Sequence, residues 1–385
     1  MTIDNITPRW TLSCSTCRTP APIANASVCS SCAQPLFAQY APVPHGTPLL
    51  NRWDLWRYSP FMPLLAGEAP VSLGEGLTPL KDAPELAGSL GIKRLWIKDE
   101  SQNPTGSFKA RGMTAAVTRA KGAGVPGIVV PTAGNAGAAL AAYAAAAGMP
   151  VRVFAPATTP RPILDIIEAM GATLIRIDGH IGDAGKLAIA YAAETGYFNI
   201  STLREPYRVE GMKTMGLELA EQLGWKLPDV IVYPTGGGEG TIGIWKAFNE
   251  LGAGGWLPEG WRQPKFVVAQ AEGCAPIARA FRDGATSATP WIDPKTYAAG
   301  LRVPSPLGDR LLLRALKETH GTVGTATEDA IRAATFELAK STGIDAAPEG
   351  GCALAVLRDA INDGRISRDS ECVIFNTGSG ASYRV

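Results

Sequence analysis

The sequence predicts an α/β protein with open parallel sheets, preceded by a small module held together by four cysteines. Three observations lead to this prediction: short apolar runs alternate with amphipathic segments, several runs end in glycine-rich turns, and two Cys-x-x-Cys pairs stand near the amino terminus. Strand, helix and strand repeated in this order are typical of parallel sheets. Ligands bind such sheets beyond the carboxyl ends of the strands, so the turns that follow strands are where chemistry is expected.

Length and charge limit the classes of protein that need to be considered. The chain has 385 residues, enough for more than one domain, and its formal net charge of +1 gives no sign of a nucleic-acid partner. The first ten residues lack the basic start and apolar core of a signal peptide. The apolar run 137–149 is shorter than the ~20 residues that a membrane span needs. We therefore expect a cytoplasmic protein with neither a membrane nor a nucleic-acid partner.

The first unit of the chain is a cysteine module, expected over residues 1–40. Cys14 and Cys17 are followed, after eleven intervening residues, by Cys29 and Cys32. Two such pairs can place four thiolates around one tetrahedral zinc ion, and four sulfur ligands leave no open position, so the expected role of the metal is structural. A segment this short needs a staple to fold; disulfides, the alternative, belong mainly to secreted chains.

Seven apolar runs after residue 90 have the length and composition of strands. They are 95–98, 127–130, 151–154, 173–177, 230–233, 266–269 and 372–375. Helical patterns lie between most of these runs, over 161–170, 181–194, 213–223 and 328–340. This alternation predicts parallel sheets with helices in the crossover connections.

The stretch from Gln102 to Gly112 places one lysine, Lys109, after a turn rich in proline, glycine and hydroxyl residues and before a helical run over 110–118. The helix dipole disfavours a cation at a helix amino terminus, so a solvated surface lysine explains this position poorly. An amine with an ordinary pKa near ~10.4 becomes nucleophilic when desolvation or a cationic neighbour keeps it neutral. Lys109 is therefore the leading candidate for covalent chemistry. For Arg111, an ion pair and a packing role both remain open.

Two further turns follow strands and open helices. The turn from Pro131 to Gly137 carries Asn135, which a helix N-cap would also explain. The turn from Pro234 to Thr241 is rich in glycine, which lets backbone N–H groups approach a phosphate closely. On its own such a turn is weak evidence, since a flexible loop is the usual explanation. Its Glu239 has the wrong charge for a phosphate site.

Two stretches complete the set. The turn from Phe375 to Gly380 follows the last strand and contains Thr377 and Ser379, although a simple carboxyl-terminal turn would look the same. The stretch 199–214 contains Pro-Tyr-Arg followed by Glu-Gly-x-Lys-Thr, with Arg208 as its central cation.

In their order along the chain, these motifs resemble those of the tryptophan-synthase-like, fold type II enzymes that use pyridoxal phosphate, and within that family those of the threonine synthases. The resemblance runs from the cysteine module, which some threonine synthases also have, to the turn after the last strand. It implies two open parallel-sheet domains with the cofactor between them. The expected boundaries are 41–100 for a connector and the first part of the large domain, 101–205 for the small domain and 206–385 for the rest of the large domain. A homodimer is also implied.

The resemblance assigns cofactor contacts to most of these motifs. It implies that Lys109 forms the Schiff base with pyridoxal phosphate, that Asn135 donates to the phenolic oxygen of the ring, and that Thr377 faces the pyridine nitrogen, with Ser379 as the fallback. It also implies that the cofactor phosphate lies against the glycine-rich turn, at Gly236, Gly237, Gly238, Glu239 and Gly240. The carboxylate of Glu239 must then point away from the phosphate.

The resemblance also implies how an amino-acid substrate is held. Its carboxylate would lie against the backbone of the Asn135 turn, at Thr132, Ala133, Gly134 and Ala136. Arg208 would bind the phosphate of O-phosphohomoserine, because a guanidinium fork suits phosphate oxygens. Weaker candidates for the same role, or for simple surface ion pairs, are Ser201, Arg204 and Lys213.

The function implied first is that of a threonine synthase, which converts O-phospho-L-homoserine and water to L-threonine and phosphate. Two departures from that pattern favour an alternative: Ala110 stands where an aspartate usually follows the lysine, and Ala136 lacks a hydroxyl expected near the substrate. Both are closer to the α,β-eliminases of the family, such as threonine or serine dehydratase and diaminopropionate ammonia-lyase. A catalytically silent binding protein is the second alternative, against which the joint presence of Lys109, Asn135 and Thr377 argues.

Overall fold

The computed structural model describes residues 9–24 and 26–384, so most of the segment on which the signal-peptide expectation rests lies outside the described residues. The strands, in chain order, are β1 Trp10–Cys14, β2 Pro20–Ala21, β3 Leu36–Tyr40, β4 Leu80–Asp82, β5 Arg94–Asp99, β6 Ile128–Pro131, β7 Val151–Pro156, β8 Thr173–Ile177, β9 Phe198–Asn199, β10 Val230–Pro234, β11 Lys265–Ala271, β12 Thr322–Ala326 and β13 Glu371–Asn376.

The α-helices complete the architecture. They are α1 Pro84–Leu90, α2 Lys109–Gly122, α3 Asn135–Ala147, α4 Arg161–Ala169, α5 Ile181–Thr195, α6 Tyr207–Gln222, α7 Glu239–Ala253, α8 Pro276–Arg282, α9 Asp309–Glu318, α10 Glu328–Thr342 and α11 Pro348–Asn362. Within the described residues, no helix combines the length and the apolar character that crossing a bilayer would require.

Two sheets of mostly parallel strands form the body of the protein. The larger has the strand order β12-β11-β10-β13-β5-β4, parallel except for the edge strand β4, and the smaller has the order β8-β7-β6-β9, parallel throughout. Central strands are apolar on both faces because helices cover both; all five residues of β10 are buried. The predicted α/β class with parallel sheets is confirmed, and each of the seven predicted strands is present.

The sequence interpretation missed two strands of the large sheet for different reasons. Strand β4 is only three residues long, is partly exposed and pairs antiparallel with β5, so it has no apolar run. Strand β12 reads Thr-Val-Gly-Thr-Ala, in which small and polar residues weaken the apolar pattern. Both lie at the sheet edges, where burial is incomplete and the sequence signal is weakest.

Helix α6 begins at Tyr207 rather than at the predicted residue 213, which places Arg208 on its first turn. The apolar period is hidden there because Arg208, Glu210 and Lys213 are all buried, and each of them is paired with another charge. A helix with buried ion pairs looks polar in the sequence although it packs on every side.

A second buried cluster explains Arg111. Its Nε lies 2.6 Å from Glu100 Oε2 and its Nη1 lies 2.9 Å from Glu218 Oε2, while Lys98 also pairs with Glu218. All four side chains are fully buried. Because Glu100 follows β5 and Glu218 belongs to α6, the cluster fixes α2 to the large sheet. Arg111 is thus in an ion pair, one of the two roles that the sequence left open. We name this set of four residues the frame cluster.

The cysteine module is a three-stranded antiparallel sheet of order β2-β1-β3 that packs on α6. The Tyr207 hydroxyl donates to the Ile23 carbonyl at 3.2 Å, and the Tyr40 hydroxyl donates to Glu210 at 3.0 Å. Trp10 meets the Tyr207 ring edge-on, with 6.1 Å between ring centroids. The module therefore covers the start of α6 and its ion pairs.

Candidate active site

Four of the predicted motifs follow the carboxyl ends of strands, and three of those strands, β10, β13 and β5, are neighbours in the large sheet. The segment before Lys109 lies beside the turn after β13: the Phe108 N–H donates to the Thr377 carbonyl at 3.1 Å, and the Ser379 N–H donates to the Gly106 carbonyl at 2.9 Å. A methyl group on Gly378 would lie 3.2 Å from Nδ2 of Asn135. The lysine, asparagine and threonine motifs therefore meet at one place.

Lys109 is the first residue of α2, half-buried, with its Nζ 4.2 Å from the centroid of the Phe108 ring. Among the described residues it has no hydrogen-bond or salt-bridge partner. Burial lowers the pKa of its amine to about 8. The charge of Glu239 opposes this shift and that of Arg208 adds to it, while Glu349 also opposes it. The amine is therefore much more readily neutral than that of an ordinary lysine, as nucleophilic chemistry requires.

The glycine-rich turn leads into the fifteen-residue helix α7 without a side-chain cap on its first turn. Gly238 has φ 85°, a left-handed conformation that favours glycine. A methyl group on Gly237 would lie 3.0 Å from Cγ2 of Thr202, and one on Gly236 or Gly240 would overlap the Gly300 carbonyl or the Tyr233 hydroxyl. The turn thus presents backbone N–H groups at a helix amino terminus, which suits an anion.

Glu239, the residue with the wrong charge for this turn, is buried and pairs with Arg208 at 2.7 Å between Oε2 and Nη2. Arg208 is also fully buried, and its Nη1 donates to the Ile200 carbonyl at 2.9 Å. The predicted phosphate ligand of the substrate therefore already has an anionic partner in this structure. We name Arg208 and Glu239 the site pair.

In the described part of the chain, none of the weaker candidates forms a hydrogen bond or salt bridge with either member of this pair. Lys213 is buried in the ion cluster beneath the cysteine module, 2.5 Å from Glu210 Oε2. Ser201 is buried and its hydroxyl donates to the Asn199 side chain at 2.5 Å. Arg204 is partly exposed on the following turn. Of the candidates for a phosphate ligand, Arg208 is the one that pairs with Glu239 and whose charge affects the pKa of Lys109.

The turn of the predicted substrate-carboxylate site is shaped by Thr132. Its Oγ1 accepts from the backbone N–H groups of Gly134 and Gly137, each at 3.1 Å, and donates to the Gly134 carbonyl. Ala133 lines a narrow cleft together with His180, which precedes α5, and Arg302, which lies between α8 and α9. The cleft is small, about 20 Å³, and lies directly beside this turn.

Sequence reasoning missed two buried carboxylates near the site. Glu349, on the first turn of α11, accepts from the Gly300 N–H at 2.8 Å and from the Tyr383 hydroxyl at 2.5 Å, and burial raises its pKa. Burial also raises the pKa of Glu205 to about 8, although the charge of Arg208 opposes this shift. A lone acid in the otherwise apolar start of α11 was the signal that could have revealed Glu349.

The four cysteine sulfurs of the amino-terminal module lie within 4.8 Å of one another. Cys14 Sγ is 3.4 Å from Cys32 Sγ, and Cys17 Sγ is 3.6 Å from Cys29 Sγ. These separations are far longer than a disulfide bond of about 2.05 Å, and they approach the ~3.8 Å edge of a tetrahedron whose metal–sulfur bonds are ~2.3 Å. The donor set and its shape fit one zinc ion.

A cleft of about 560 Å³ elsewhere in the molecule is not part of this site. It is lined by Arg94 and Glu371, which begin strands β5 and β13, and by Trp96 and Lys226. It therefore lies at the amino ends of the strands, where open α/β sheets do not usually bind their ligands.

Comparisons with known proteins agree with this arrangement. The family model described as pyridoxal-phosphate dependent enzyme matches residues 71–378. The threonine synthase of Methanosarcina acetivorans is 37% identical over 327 residues, which is 84% of this chain and 79% of that protein. The threonine synthase of Methanocaldococcus jannaschii is 36% identical, over 85% of this chain and 80% of that protein.

Solved structures show the same fold at lower identity. Maize serine racemase superimposes with a TM-score of 0.67 at 22% identity, covering 79% of this chain and 88% of that chain. Diaminopropionate ammonia lyase from Escherichia coli superimposes with a TM-score of 0.69 at 19% identity, covering 82% of this chain and 88% of that chain.

Proposed function

Because this chain belongs to the pyridoxal-phosphate dependent enzymes, and within them to the threonine synthases, we propose that it converts O-phospho-L-homoserine and water to L-threonine and phosphate. The observation that carries the proposal is the meeting of Lys109 with the turns of Asn135 and Thr377 in a chain 37% identical to a threonine synthase over 84% of its length. The chain is thus a lyase that acts on a small amino acid.

The residues present fit pyridoxal phosphate. A half-buried amine with a lowered pKa and a glycine turn at an uncapped helix start suit its aldehyde and its phosphate. Ser107 Oγ is buried beside the lysine and has no partner among the described residues, as expected where a polar ligand belongs. We propose that Lys109, Asn135, Thr377 and the five residues of the glycine turn hold the cofactor: Gly236, Gly237, Gly238, Glu239 and Gly240.

When bound, the cofactor accepts the electrons of bonds broken next to the amino group of the substrate. We propose that Lys109 takes the proton from Cα and moves protons at Cβ, since a pKa near 8 suits exchange in both directions. The backbone at Thr132, Ala133, Gly134 and Ala136 would receive the substrate carboxylate, and Arg208 its phosphate. The overall reaction releases phosphate from Cγ and adds water at Cβ.

An α,β-eliminase of the threonine-deaminase or diaminopropionate-lyase type is the second candidate. Two observations favour it: Ala136 brings no hydroxyl to the substrate turn, and Arg208 is already paired with Glu239. A substrate without phosphate would leave that pair intact.

One pair of assays separates the two candidates. The purified enzyme, with its pyridoxal phosphate content measured after alkaline release, is supplied with O-phospho-L-homoserine, and phosphate and threonine are quantified. Keto-acid formation from threonine and serine is measured beside it. We expect threonine and phosphate in equal amounts; keto acid alone would defeat the synthase and support the eliminase.

We further propose that Cys14, Cys17, Cys29 and Cys32 hold a structural zinc ion. The close approach of four thiols in a small module supports this assignment. Metal analysis of the wild type should give about one zinc per chain. Cys14→Ser should lower that content; a wild-type protein purified without chelator that contains no zinc would refute the assignment.

Assembly and location remain proposals of the same kind. We propose a cytoplasmic homodimer with the domain boundaries expected from the sequence. The strands of the small sheet fall within 101–205 and those of the large sheet outside it, which supports the boundaries. Light scattering on the purified protein tests the dimer.

A further inference from the structure

The site pair has an unusual place in the fold. Arg208 lies on the first turn of α6 and Glu239 is the first residue of α7, so both charges are at helix starts. Their side chains are 0% and 1% exposed, and the pair distance is 2.7 Å. Glu239 is also a member of the glycine turn, which otherwise offers only N–H groups to an anion. A carboxylate is thus built into a place that suits anions.

The pair also leaves hydrogen-bonding capacity unused. A guanidinium has five N–H donors, and the described residues take up only two groups of Arg208, Nη1 and Nη2. Its Nε and the Oε1 of Glu239 are buried and have no partner among the described residues. Unpaired buried polar atoms are costly, and in a native protein they mark places where a ligand completes the hydrogen bonding.

The pair lies beside the start of the lysine's helix: a methyl group on Gly112, three residues after Lys109, would lie 3.3 Å from Cβ of Arg208. Burial lowers the pKa of Lys109, the charge of Glu239 opposes this shift, and the charge of Arg208 adds to it. A methyl group on Gly237, two residues before Glu239, would touch Thr202, which precedes α6. A substrate held at Lys109 therefore has Arg208 as a nearby cation, but the guanidinium of Arg208 is already paired with the carboxylate of Glu239.

We propose that Glu239 is a positioning and specificity-determining residue, an internal anion that holds Arg208 in the resting enzyme and competes with the phosphate group of the substrate. This inference rests on the proposed function, which gives the substrate a phosphate. A phosphate monoester must share Arg208 with Glu239 or take it over. The enzyme therefore binds phosphate more weakly than it would if Arg208 had no anionic partner. For the same reason the phosphate product dissociates more easily.

The test measures binding without turnover. Inorganic phosphate is titrated calorimetrically into the cofactor-loaded enzyme, as wild type, as Glu239→Gln and as the matched control Glu205→Gln. Glu205 is a second buried acid beside Arg208, but it accepts from the Arg208 backbone N–H at 3.1 Å and does not hold the guanidinium. We expect phosphate to bind Glu239→Gln at least ~10-fold more tightly, since close buried charge pairs carry couplings of this size or larger. The control should stay within about twofold.

Two further measurements identify the route of the effect. In an Arg208→Gln background, the gain from Glu239→Gln should vanish, because there is no guanidinium to release. In steady-state assays, Glu239→Gln should lower KM for phosphohomoserine more than it changes kcat. Cofactor content and thermal unfolding are recorded for every variant. If Glu239→Gln does not fold, Glu239→Asp, whose shorter side chain loosens the contact, should bind phosphate several-fold more tightly than the wild type.

Unchanged or weaker phosphate binding by a folded, cofactor-loaded Glu239→Gln would overturn the inference and leave the pair a structural one. A gain that persists in the Arg208→Gln background would overturn it as well. The proposed function is judged separately: a wild type that forms no threonine from phosphohomoserine defeats that function, whereas normal threonine formation with an unresponsive Glu239→Gln defeats only the inference.

Discussion

Two buried arginines near the start of α2, the helix that begins at Lys109, differ in how completely they are paired. In the frame cluster, Arg111 uses Nε, Nη1 and Nη2 on the carboxylates of Glu100 and Glu218 and on two threonine hydroxyls. In the site pair, Arg208 has one carboxylate, one carbonyl and an unpaired Nε. A saturated cluster fixes a geometry, whereas an unsaturated pair leaves room for a ligand.

The buried acids beside the two arginines also differ, in the direction in which their pKa values are shifted. Burial would raise the pKa of Glu218, but the charges of Arg111 and Lys98 outweigh burial and lower it from 4.5 to about 2. Near the site pair, burial dominates instead and raises the pKa of Glu205 from 4.5 to about 8. The frame is thus a place where charge is compensated, and the site is a place where compensation is incomplete.

Lys109→Ala should have the largest effect on activity and almost none on the frame. Threonine formation should fall at least ~10³-fold, because the cofactor loses its covalent anchor and the reaction its proton carrier. No described acceptor loses a partner, so the free energy of unfolding of the cofactor-free protein should change by less than about 1 kcal/mol. Phosphate release and urea unfolding measure the two effects. A large loss of stability would show that the lysine supports the frame.

Arg111→Met should have the largest effect on stability. Removing it leaves two buried carboxylates, Glu100 and Glu218, short of their cation, which should cost about 3–5 kcal/mol in the free energy of unfolding. The matched variant Arg208→Met leaves one buried carboxylate, Glu239, without its cation instead of two, and should cost less, about 3 kcal/mol. Chemical denaturation of both variants checks the order. Equal losses would contradict the distinction between frame and site.

The acid side of the stability profile should depend on Glu218. Its pKa is lower in the folded protein, so its contribution is present above pH 4.5 and is lost as the pH falls from 4.5 to 2. The difference corresponds to about 3 kcal/mol. Glu218→Gln should therefore be less stable at pH 7 and lose less stability on acidification. Unfolding measured across this pH range tests the expectation.

Glu205→Gln provides the opposite control for the acid profile. The pKa of Glu205 is raised on folding, so its contribution is present below pH 4.5 and is lost as the pH rises through about 8. Its removal should flatten the stability profile between pH 4.5 and about 8 and leave the profile below pH 4.5 unchanged. If both variants altered the same side, the contrast between the two acids would be wrong.

Tyr207→Phe should have the smallest effect. It removes one hydrogen bond, to the Ile23 carbonyl, and keeps the ring against Trp10, so the loss of stability should be about 1 kcal/mol. Because Arg208 is the next residue, the change also tests whether the cysteine module affects the site pair. Thermal unfolding gives the first result and KM for phosphohomoserine the second; we expect KM to stay within about twofold.

The sequence predicted the parallel sheets because apolar strands and the turns after them leave local patterns, and the resemblance to fold type II enzymes implied that the Lys109, Asn135 and Thr377 motifs meet. It did not predict the start of α6 or the pairing of Glu239 with Arg208. Buried charges such as Arg208 and Lys213 look like surface residues in a sequence, and only their distant partners explain them. For the same reason Glu349 was missed: its partners at Gly300 and Tyr383 come from separate parts of the chain.

The covering of α6 by the cysteine module constrains how this protein can change in evolution. The Nζ of Lys213 lies 4.1 Å from the centroid of the Tyr40 ring, and the Tyr40 hydroxyl donates to Glu210, so the module shields charges of α6 from water. A descendant that lost residues 1–40 would return those charges to solvent and leave an apolar surface beside them. Loss of the module would therefore have to be accompanied by substitutions at Glu210 and Lys213, and the two parts should be gained or lost together.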